Sequence, residues 1–393
     1  MQYVKRFLDA YGKSDKIERG IADNSIDGVV LSPKAETPDR LETYITEKQT
    51  EGVQIYFDPQ FYLLSLEGSV NIGKLEQYYY YVSDIVNKKY LSIPQNVQNV
   101  VKRVIDYQNS CGLKNIISPS VFFDSFDSRM SQIALSMANE SMSYYKGKDL
   151  YISLSISEAA FKNLEDVHDF LDIVSLFEVK GFYVIIERNS YDNANFIDSD
   201  VMANIMYFLY NLSQINAYSV VLGYEGQLGI PLYASGIESI SMGWYANTRK
   251  FNRDNFYEKS GMRRPRKRYY SNKLLNSILL VPEVQLIQEQ NKLGQVLSNT
   301  QYDSEMYNDL GGSLWTDSIS CLEYWMATKQ HFDEMDKLVL VEEKVEYVRK
   351  QIVKAKNIYS NLPEDLFDSK SKSTHLEMWD AGLLKFIEKI ESI

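Results

Sequence analysis

Cysteine and histidine are scarce in this chain of 393 residues. The sequence contains Cys111 and Cys321, and its three histidines are His168, His331 and His375. Two cysteines this distant in sequence provide neither a disulfide framework nor the CxxC pairs of a structural zinc site. This usage indicates a cytoplasmic protein whose fold does not depend on a Cys/His metal centre.

Long apolar runs and an excess of basic residues are missing as well. No apolar run approaches the roughly 20 residues that span a bilayer, so the sequence predicts no membrane segment. The first residues, MQYVKRFLDAYGKSDK, lack the apolar core and cleavage site of a secretory signal. Acidic residues outnumber basic ones by 53 to 42, giving a formal net charge of −11, which argues against a protein that coats nucleic acid.

Short apolar strands alternate with helical patterns through the first 299 residues. The first unit runs from a strand at Asp27–Ser32, through a helix that Thr37 and Pro38 open, to a strand at Gly52–Phe57. These strands have little polar alternation, as is typical of a parallel sheet buried on both faces. Further strands are predicted at Leu113–Ser118, Leu150–Ser155, Phe182–Glu187, Ser219–Gly223, Ile237–Met242 and Leu274–Val281. The last of these fits a helix nearly as well.

Seven or eight such strands predict an α/β fold, a (β/α)8 TIM-like barrel over residues 1–299. The alternative is an open doubly wound parallel sheet, which the absence of a dinucleotide fingerprint after the first strand disfavours. A long insertion, residues 60–110, follows the second strand and contains two predicted helices, LEQYYYYVSDIV and NVQNVVKRVIDYQ. Residues 1–20 have the pattern of an amphipathic helix.

Residues 300–393 are predicted to form a helical C-terminal extension. Their apolar side chains repeat at alternating spacings of three and four, which predicts a heptad seam on a helix over residues 335–359. The seam residues are Leu338, Val341, Val345, Val348, Ile352, Ala355 and Tyr359. The seam either packs against another helix of the same chain or forms a homodimer.

Three acids follow separate predicted strands: Asp58, Glu187 and Glu225. In a barrel, the carboxyl ends of the strands face one mouth, where active sites lie. Carboxylates that share a site can divide acid and base roles, or they can hold a divalent cation through oxygen ligands. Glu187 adjoins Arg188, so a salt bridge is the structural alternative for that residue.

The segment 249–273 is the most basic of the chain, with ten Lys or Arg residues against two acids. It follows the seventh predicted strand, close to where barrels bind phosphate. Its predicted phosphate or nucleic-acid contacts are Arg249, Arg253, Arg263, Arg264, Arg266 and Arg268, with Trp244 at its opening. Alternatively, the segment is a solvated loop or pairs with acidic groups of the same protein.

These features predict an enzyme acting on a phosphate-bearing substrate, either a small phosphorylated molecule such as a nucleotide or RNA or single-stranded DNA. The segment 249–273 would bind the phosphate, and the three acids would supply acid–base chemistry or hold a divalent cation. The alternative is a non-catalytic scaffold that binds nucleic acid or an acidic partner and associates through the heptad helix.

Overall fold

The computed structural model describes residues 5–10, 15–188, 194–243, 248–257, 266–308 and 314–392. Most of the strands belong to one large sheet. The strands are β1 (Lys5–Ala10), β2 (Gly28–Leu31), β3 (Gln54–Phe57), β4 (Ile116–Ile117), β5 (Phe122–Phe123), β6 (Leu150–Ser157), β7 (Gly181–Glu187), β8 (Ser219–Glu225), β9 (Ser239–Met242), β10 (Arg268–Ser271) and β11 (Asn276–Leu279).

Nine parallel strands form this sheet, in the order β3-β2-β1-β9-β8-β7-β6-β4, with β5 also pairing with β6. Its middle strands are buried along their whole length, which explains their continuous apolar sequences. Within the described residues, no hydrogen-bonded pairing joins β3 to β4. The fold is therefore a mixed α/β architecture with a curled parallel sheet, and a complete barrel is not established.

Helices follow most strands and cover the sheet. Several begin at side-chain caps; Asp198, for example, accepts hydrogen bonds from the backbone of Asp200 and Val201. The helices are α1 (Asp15–Ala22), α2 (Pro38–Thr50), α3 (Lys88–Leu91), α4 (Pro94–Ser110), α5 (Arg129–Tyr144), α6 (Leu164–Val174), α7 (Ser199–Tyr210), α8 (Gly229–Tyr233), α9 (Gln285–Glu289), α10 (Leu293–Val296), α11 (Asp303–Asn308), α12 (Asp317–Met335), α13 (Val341–Ser360) and α14 (His375–Ile390). Among the helices described, none has both the length and the apolar character that a membrane crossing requires.

Both ends of the predicted strand series need correction. The helix predicted for residues 1–20 is wrong, because Lys5–Ala10 forms β1 and pairs with both β2 and β9. The strand predicted at Leu274–Val281 exists as β11, but it pairs antiparallel with β10 in a separate two-stranded sheet. The strand that joins β2 to β9 in the large sheet is therefore β1, at the start of the chain.

The tyrosine-rich helix predicted in the insertion is also wrong. Only a short 3₁₀ turn, Leu75–Gln77, forms there, whereas the second predicted helix is present as α4. Tyr78 and Tyr80 are both buried and pack around Phe57 and Tyr107. Burial of alternate residues requires an extended backbone, because a helix would separate these two rings.

The heptad seam of the C-terminal extension is buried inside the single chain. All its members from Val341 to Tyr359 are buried residues of α13, which contacts α14 and α8. In turn α14 packs closely on α7, where Gly382 lies against Met202. Packing within the chain is therefore the observed use of the seam, because a homodimer through residues 335–359 would need a surface that these helices already cover.

Candidate functional site

The carboxyl ends of β3, β7 and β8 carry the three acids singled out in the sequence. Asp58 directly follows β3, while Glu187 and Glu225 are the last residues of β7 and β8. All three side chains are buried, with residue exposures of 1%, 9% and 3%. Each has its own set of partners, so the three acids divide this end of the sheet into distinct parts.

Asp58 lies at the centre of a hydrogen-bond network. Its Oδ1 accepts from the Gln60 backbone N–H at 2.9 Å, and its Oδ2 accepts from the hydroxyls of Tyr62 at 2.8 Å and Tyr183 at 3.5 Å. Burial raises the pKa of Asp58 to about 6, although these hydrogen bonds act in the opposite direction. The carboxyl can therefore change its protonation state near neutral pH.

Gln60 links this carboxylate to two other strands. Its Nε2 donates to the Tyr224 hydroxyl at 2.8 Å, and its Oε1 accepts from the Ser32 hydroxyl at 2.8 Å. The Tyr62 and Tyr224 hydroxyl oxygens are 3.4 Å apart. We call this set the inner network; its members are Ser32, Asp58, Gln60, Tyr62, Tyr183 and Tyr224. It connects the carboxyl ends of β2, β3 and β8 with Tyr183, which lies near the start of β7.

The backbone is strained at two points of the inner network. Gln60 and Tyr224 have φ angles of +51° and +59°, in the left-handed region that residues with a Cβ rarely adopt. The pairing of β8 with β9 shifts register between Leu222 and Glu225. Gly223 lies within this shift, where an added Cβ would stand 2.7 Å from the Tyr183 hydroxyl oxygen. The absence of a side chain at Gly223 leaves room for the Tyr183 hydroxyl.

Glu225 faces a second, charged arrangement that we call the rim pocket. The side chains that line this narrow pocket include Arg188, Asn195, Glu225, Gln227, Arg249 and Lys250. Behind it, Arg188 Nε donates to Glu158 Oε2 at 2.5 Å, and both side chains are almost completely buried. Arg188 also donates to the Phe196 carbonyl at 2.8 Å, so its guanidinium has a fixed place beside the pocket.

Burial favours the uncharged forms of two side chains that line the rim pocket. It raises the pKa of Glu225 to about 7; Arg188 opposes this rise and Glu158 adds to it. It lowers the pKa of Lys250 to about 8, helped by Arg188 and opposed by Glu158. A carboxyl and an amine with such pKa values can each donate or accept a proton at neutral pH, as general acid–base catalysis requires.

Glu187 is held by an arginine of the basic segment. Its Oε1 accepts from the Arg253 backbone N–H at 3.0 Å and from Arg253 Nε at 2.8 Å. The same guanidinium binds Asp124 at 2.7 Å and lies over the Phe122 ring. Glu187 thus forms an ion pair with Arg253, while its sequence neighbour Arg188 pairs with Glu158.

Residues 248–257, which we call the strap, lie over the inner network. The Arg188 backbone N–H donates to the Phe251 carbonyl at 2.9 Å, and Asn252 Nδ2 donates to the Arg188 carbonyl at 3.0 Å. Phe251 is 1% exposed, and its ring contacts those of Tyr62 and Tyr224. The start of the basic segment therefore covers the carboxyl end of the sheet.

The other arginines that the sequence predicts to bind phosphate have other partners. Arg266 and Arg268 each bind Asp368 at 2.9 Å. Arg249 donates to the Gly243 carbonyl at 2.9 Å, and its guanidinium lies 3.7 Å from the centre of the Tyr324 ring. Trp244, Arg263 and Arg264 lie outside the described residues. Pairing within the chain, the alternative considered for this segment, is therefore observed for three of its arginines: Arg253, Arg266 and Arg268.

Sequence reasoning missed Glu158, Arg188 as its partner, and Lys250. Glu158 follows the apolar run of β6, so the rule that identified the other acids could have found it. Lys250 lies in the basic segment but has an ordinary surface-loop context in the sequence. Its position in a pocket depends on contacts between distant residues.

Two of the three histidines have hydrogen-bond partners within the fold. His331 contacts the Tyr347 hydroxyl and the Asn272 carbonyl, and His375 contacts the carbonyls of Lys372 and Leu275. In the part of the chain that the structure describes, no group of three or more His, Cys, Asp or Glu side chains is arranged to hold a metal ion. Comparison of the sequence with models of known protein families and with curated proteins finds no match.

Proposed function

We propose that the protein is an enzyme that acts on a phosphate-bearing substrate at the rim pocket, with the curled sheet serving as a (β/α)8-type scaffold. The observation that carries this proposal is the presence of Glu225, Lys250 and Arg249 around one pocket at the carboxyl ends of β7 and β8. This is the end of a parallel α/β sheet where ligands bind. The buried Glu158–Arg188 pair supports the pocket from behind.

The residues of the pocket have separate roles in this proposal. Glu225 is the acid–base group, because its raised pKa lets it carry a proton near neutral pH. Arg249 binds the phosphate, since a guanidinium forms paired hydrogen bonds to phosphate oxygens. Lys250 supplies a second donor whose charge depends on pH. Arg188 is a positioning residue that acts through Glu158 and the backbone of the strap.

The substrate class proposed is a nucleotide or a nucleotide unit of RNA or single-stranded DNA, since segment 249–273 places aromatic rings among its cations. Arg253, Arg266 and Arg268 already bind carboxylates, so they would bind phosphate only by exchanging those partners. A cytoplasmic location is part of the same proposal and depends on cysteine usage. The divalent cation considered in the sequence gains no support from the described residues, because the three acids at the strand ends have separate partners and form no metal-binding group.

The alternative is a non-catalytic scaffold that binds nucleic acid or an acidic partner through segment 249–273. Its association through the helix at residues 335–359 has less support, because the seam residues are buried within the chain. The buried acid and the lysine of the rim pocket also favour the enzyme, since a surface that only binds a polyanion gains nothing from a buried carboxyl.

The first experiment tests phosphate binding. Isothermal titration with inorganic phosphate and ribose 5-phosphate should show binding to the wild type that Arg249→Ala weakens at least tenfold. Arg40→Ala is the matched control, because Arg40 is 71% exposed, pairs with Glu36 and lies outside segment 249–273. Equal binding by both variants, or no binding to the wild type, would contradict the proposed role of Arg249.

The second experiment separates an enzyme from a scaffold. A panel of nucleotides and sugar phosphates is incubated with the wild type and with Glu225→Gln, and products are followed by mass spectrometry. We expect the variant to keep phosphate binding and to lose turnover by roughly 100-fold or more, the range for removal of a general acid–base group. Binding without turnover in the wild type would support the scaffold.

A further inference from the structure

The Phe251 ring occupies an aromatic cage. It stacks on Phe122 with an interplanar angle of 13° and meets Tyr62 and Tyr224 nearly edge-on, at 81° and 76°. The Phe256 ring lies 5.4 Å away, centre to centre. A flat ring packs favourably among aromatic neighbours in these orientations, because the edges and faces of aromatic rings carry opposite partial charges.

Beneath the cage lies a polar floor. The hydroxyls of Tyr62 and Tyr224 extend from the cage into the inner network, where they meet the Asp58 carboxylate and the Gln60 amide. Phe251 itself has no polar atom in its side chain that could use these groups. The site therefore combines stacking surfaces with hydrogen-bond donors and acceptors. The Phe251 side chain does not use these polar groups, which bond to one another instead.

The cage and the rim pocket are adjacent because consecutive residues of the strap belong to them. Arg249 and Lys250 line the pocket, and Phe251 fills the cage. A molecule that joins a flat polar ring to a phosphate over a short distance matches this arrangement. Nucleotides have this form, whereas sugar phosphates have only the anionic half.

We infer that the cage of Phe122, Tyr62 and Tyr224 is the base-binding half of the substrate site, and that Phe251 occupies it until a nucleotide displaces residues 251–257, while Arg249 and Lys250 stay at the rim pocket. This inference builds on the proposed phosphate site and names the other half of the substrate. The base stacks on Phe122, and its polar edge faces Asp58 and Gln60. Displacement exchanges the Arg253 contacts with Glu187 and Asp124 for contacts with water or with the phosphate.

The test removes the occupant of the cage. Guanosine and adenosine monophosphates, ribose 5-phosphate and the two nucleosides are titrated into the wild type and into Phe251→Ala. We expect the variant to bind the nucleotides at least tenfold more tightly than the wild type and to bind ribose 5-phosphate unchanged, because only a base gains from an empty cage. Phe177→Ala is the control: Phe177 is also buried but contacts Phe182 at the start of β7.

The outcomes separate the two proposals. Tighter binding of nucleosides and nucleotides by Phe251→Ala, with no effect of Arg249→Ala, would keep the cage and overturn the phosphate site. An equal response of ribose 5-phosphate and nucleotides, or an equal effect of Phe177→Ala, would overturn the cage.

A measurement on the wild type covers the case in which Phe251→Ala fails to fold. Hydrogen exchange of residues 251–257 and of the Arg188 amide should rise several-fold when a nucleotide is added, because the Arg188 N–H donates to the Phe251 carbonyl and the Arg253 N–H to Glu187. Exchange should stay unchanged with ribose 5-phosphate. Unchanged or slower exchange of these amides with the nucleotide would overturn the displacement.

Discussion

The inner network and the rim pocket lie side by side but stabilise buried acids in opposite ways. Asp58 has neutral partners, two tyrosine hydroxyls and a backbone N–H, whereas Glu225 lies beside the charged pair of Glu158 and Arg188. Hydrogen bonds from neutral donors hold the Asp58 carboxyl in one orientation, whereas Glu225 has charged neighbours whose effects on its pKa oppose each other. Burial is the main cause of the raised pKa of both acids, so the two regions differ in their partners and not in the origin of the shift.

The largest expected effect comes from breaking the buried pair of the rim pocket. Arg188→Met leaves Glu158 buried without its partner and should lower the free energy of unfolding by roughly 3–5 kcal/mol. Urea denaturation measures this change. The double variant Glu158→Met with Arg188→Met should recover most of the loss, because an apolar replacement for the whole pair leaves no buried charge. A single-variant loss below about 1 kcal/mol would contradict the role assigned to the pair.

The second prediction concerns pH and compares the two acids. Their raised pKa values mean that the folded protein keeps protons that the unfolded chain releases. The free energy of unfolding should therefore fall as the pH rises from about 4 to about 6 for Asp58, and from about 4.5 to about 7 for Glu225. Each acid contributes roughly 3 kcal/mol to this fall.

Asp58→Asn and Glu225→Gln should each remove one part of this slope. The measurement is the stability difference between wild type and variant across the pH range, which cancels the contributions of other groups. A difference that stays constant with pH would contradict the raised pKa of that acid. The Asp58 variant should also carry a constant loss, because an amide N–H would face the hydroxyls that now donate to the carboxylate.

A smaller effect is expected from crowding the inner network. Gly223→Ala places a methyl group against the Tyr183 hydroxyl and should cost roughly 1–3 kcal/mol in thermal or urea unfolding. Gly294→Ala in α10 is the matched control, since nothing lies within 4 Å of its added Cβ. If both substitutions have the same effect, the space beside Tyr183 does not constrain β8.

The smallest effect is predicted where the strap meets solvent. Arg253 is one-third exposed and binds Glu187 and Asp124, so Arg253→Ala should cost about 1 kcal/mol, less at high salt. Arg266→Ala, at a two-thirds exposed side chain, should change the free energy of unfolding by roughly 0–0.5 kcal/mol. Equal costs measured by urea denaturation would mean that the strap is no better anchored than an ordinary surface loop.

Much of the large sheet was predictable because buried parallel strands have continuous apolar sequences. This pattern identified the regions of β2, β3 and β6 to β9, and it brought Asp58, Glu187 and Glu225 to strand ends. It failed for β1, whose sequence KRFLDA contains charges and also fits a helical spacing. Pairing with β2 and β9 decides that segment, and a local pattern carries no information about such pairing.

The chemical environment of the site was far less predictable. A salt bridge between Glu187 and the neighbouring Arg188 was the alternative considered for Glu187, but the fold pairs Arg188 with Glu158 and Glu187 with Arg253. Gln60 meets the Tyr224 hydroxyl although the two residues are far apart in the chain. The left-handed conformation of both residues has no sequence signal either, since glycine or asparagine is the usual residue there. Such contacts depend on how strand ends face one another.

The position of β1 also has a consequence for synthesis and folding. Phe7 pairs with Gly28 in β2, which is nearby in sequence, and with Ser241 in β9, which lies more than half the chain away. On the ribosome, β1 has one neighbour until β9 emerges, and its other edge stays open for pairing with foreign strands. Completion of the sheet is therefore a late, long-range step, the kind of contact that slows folding and makes chaperone protection valuable.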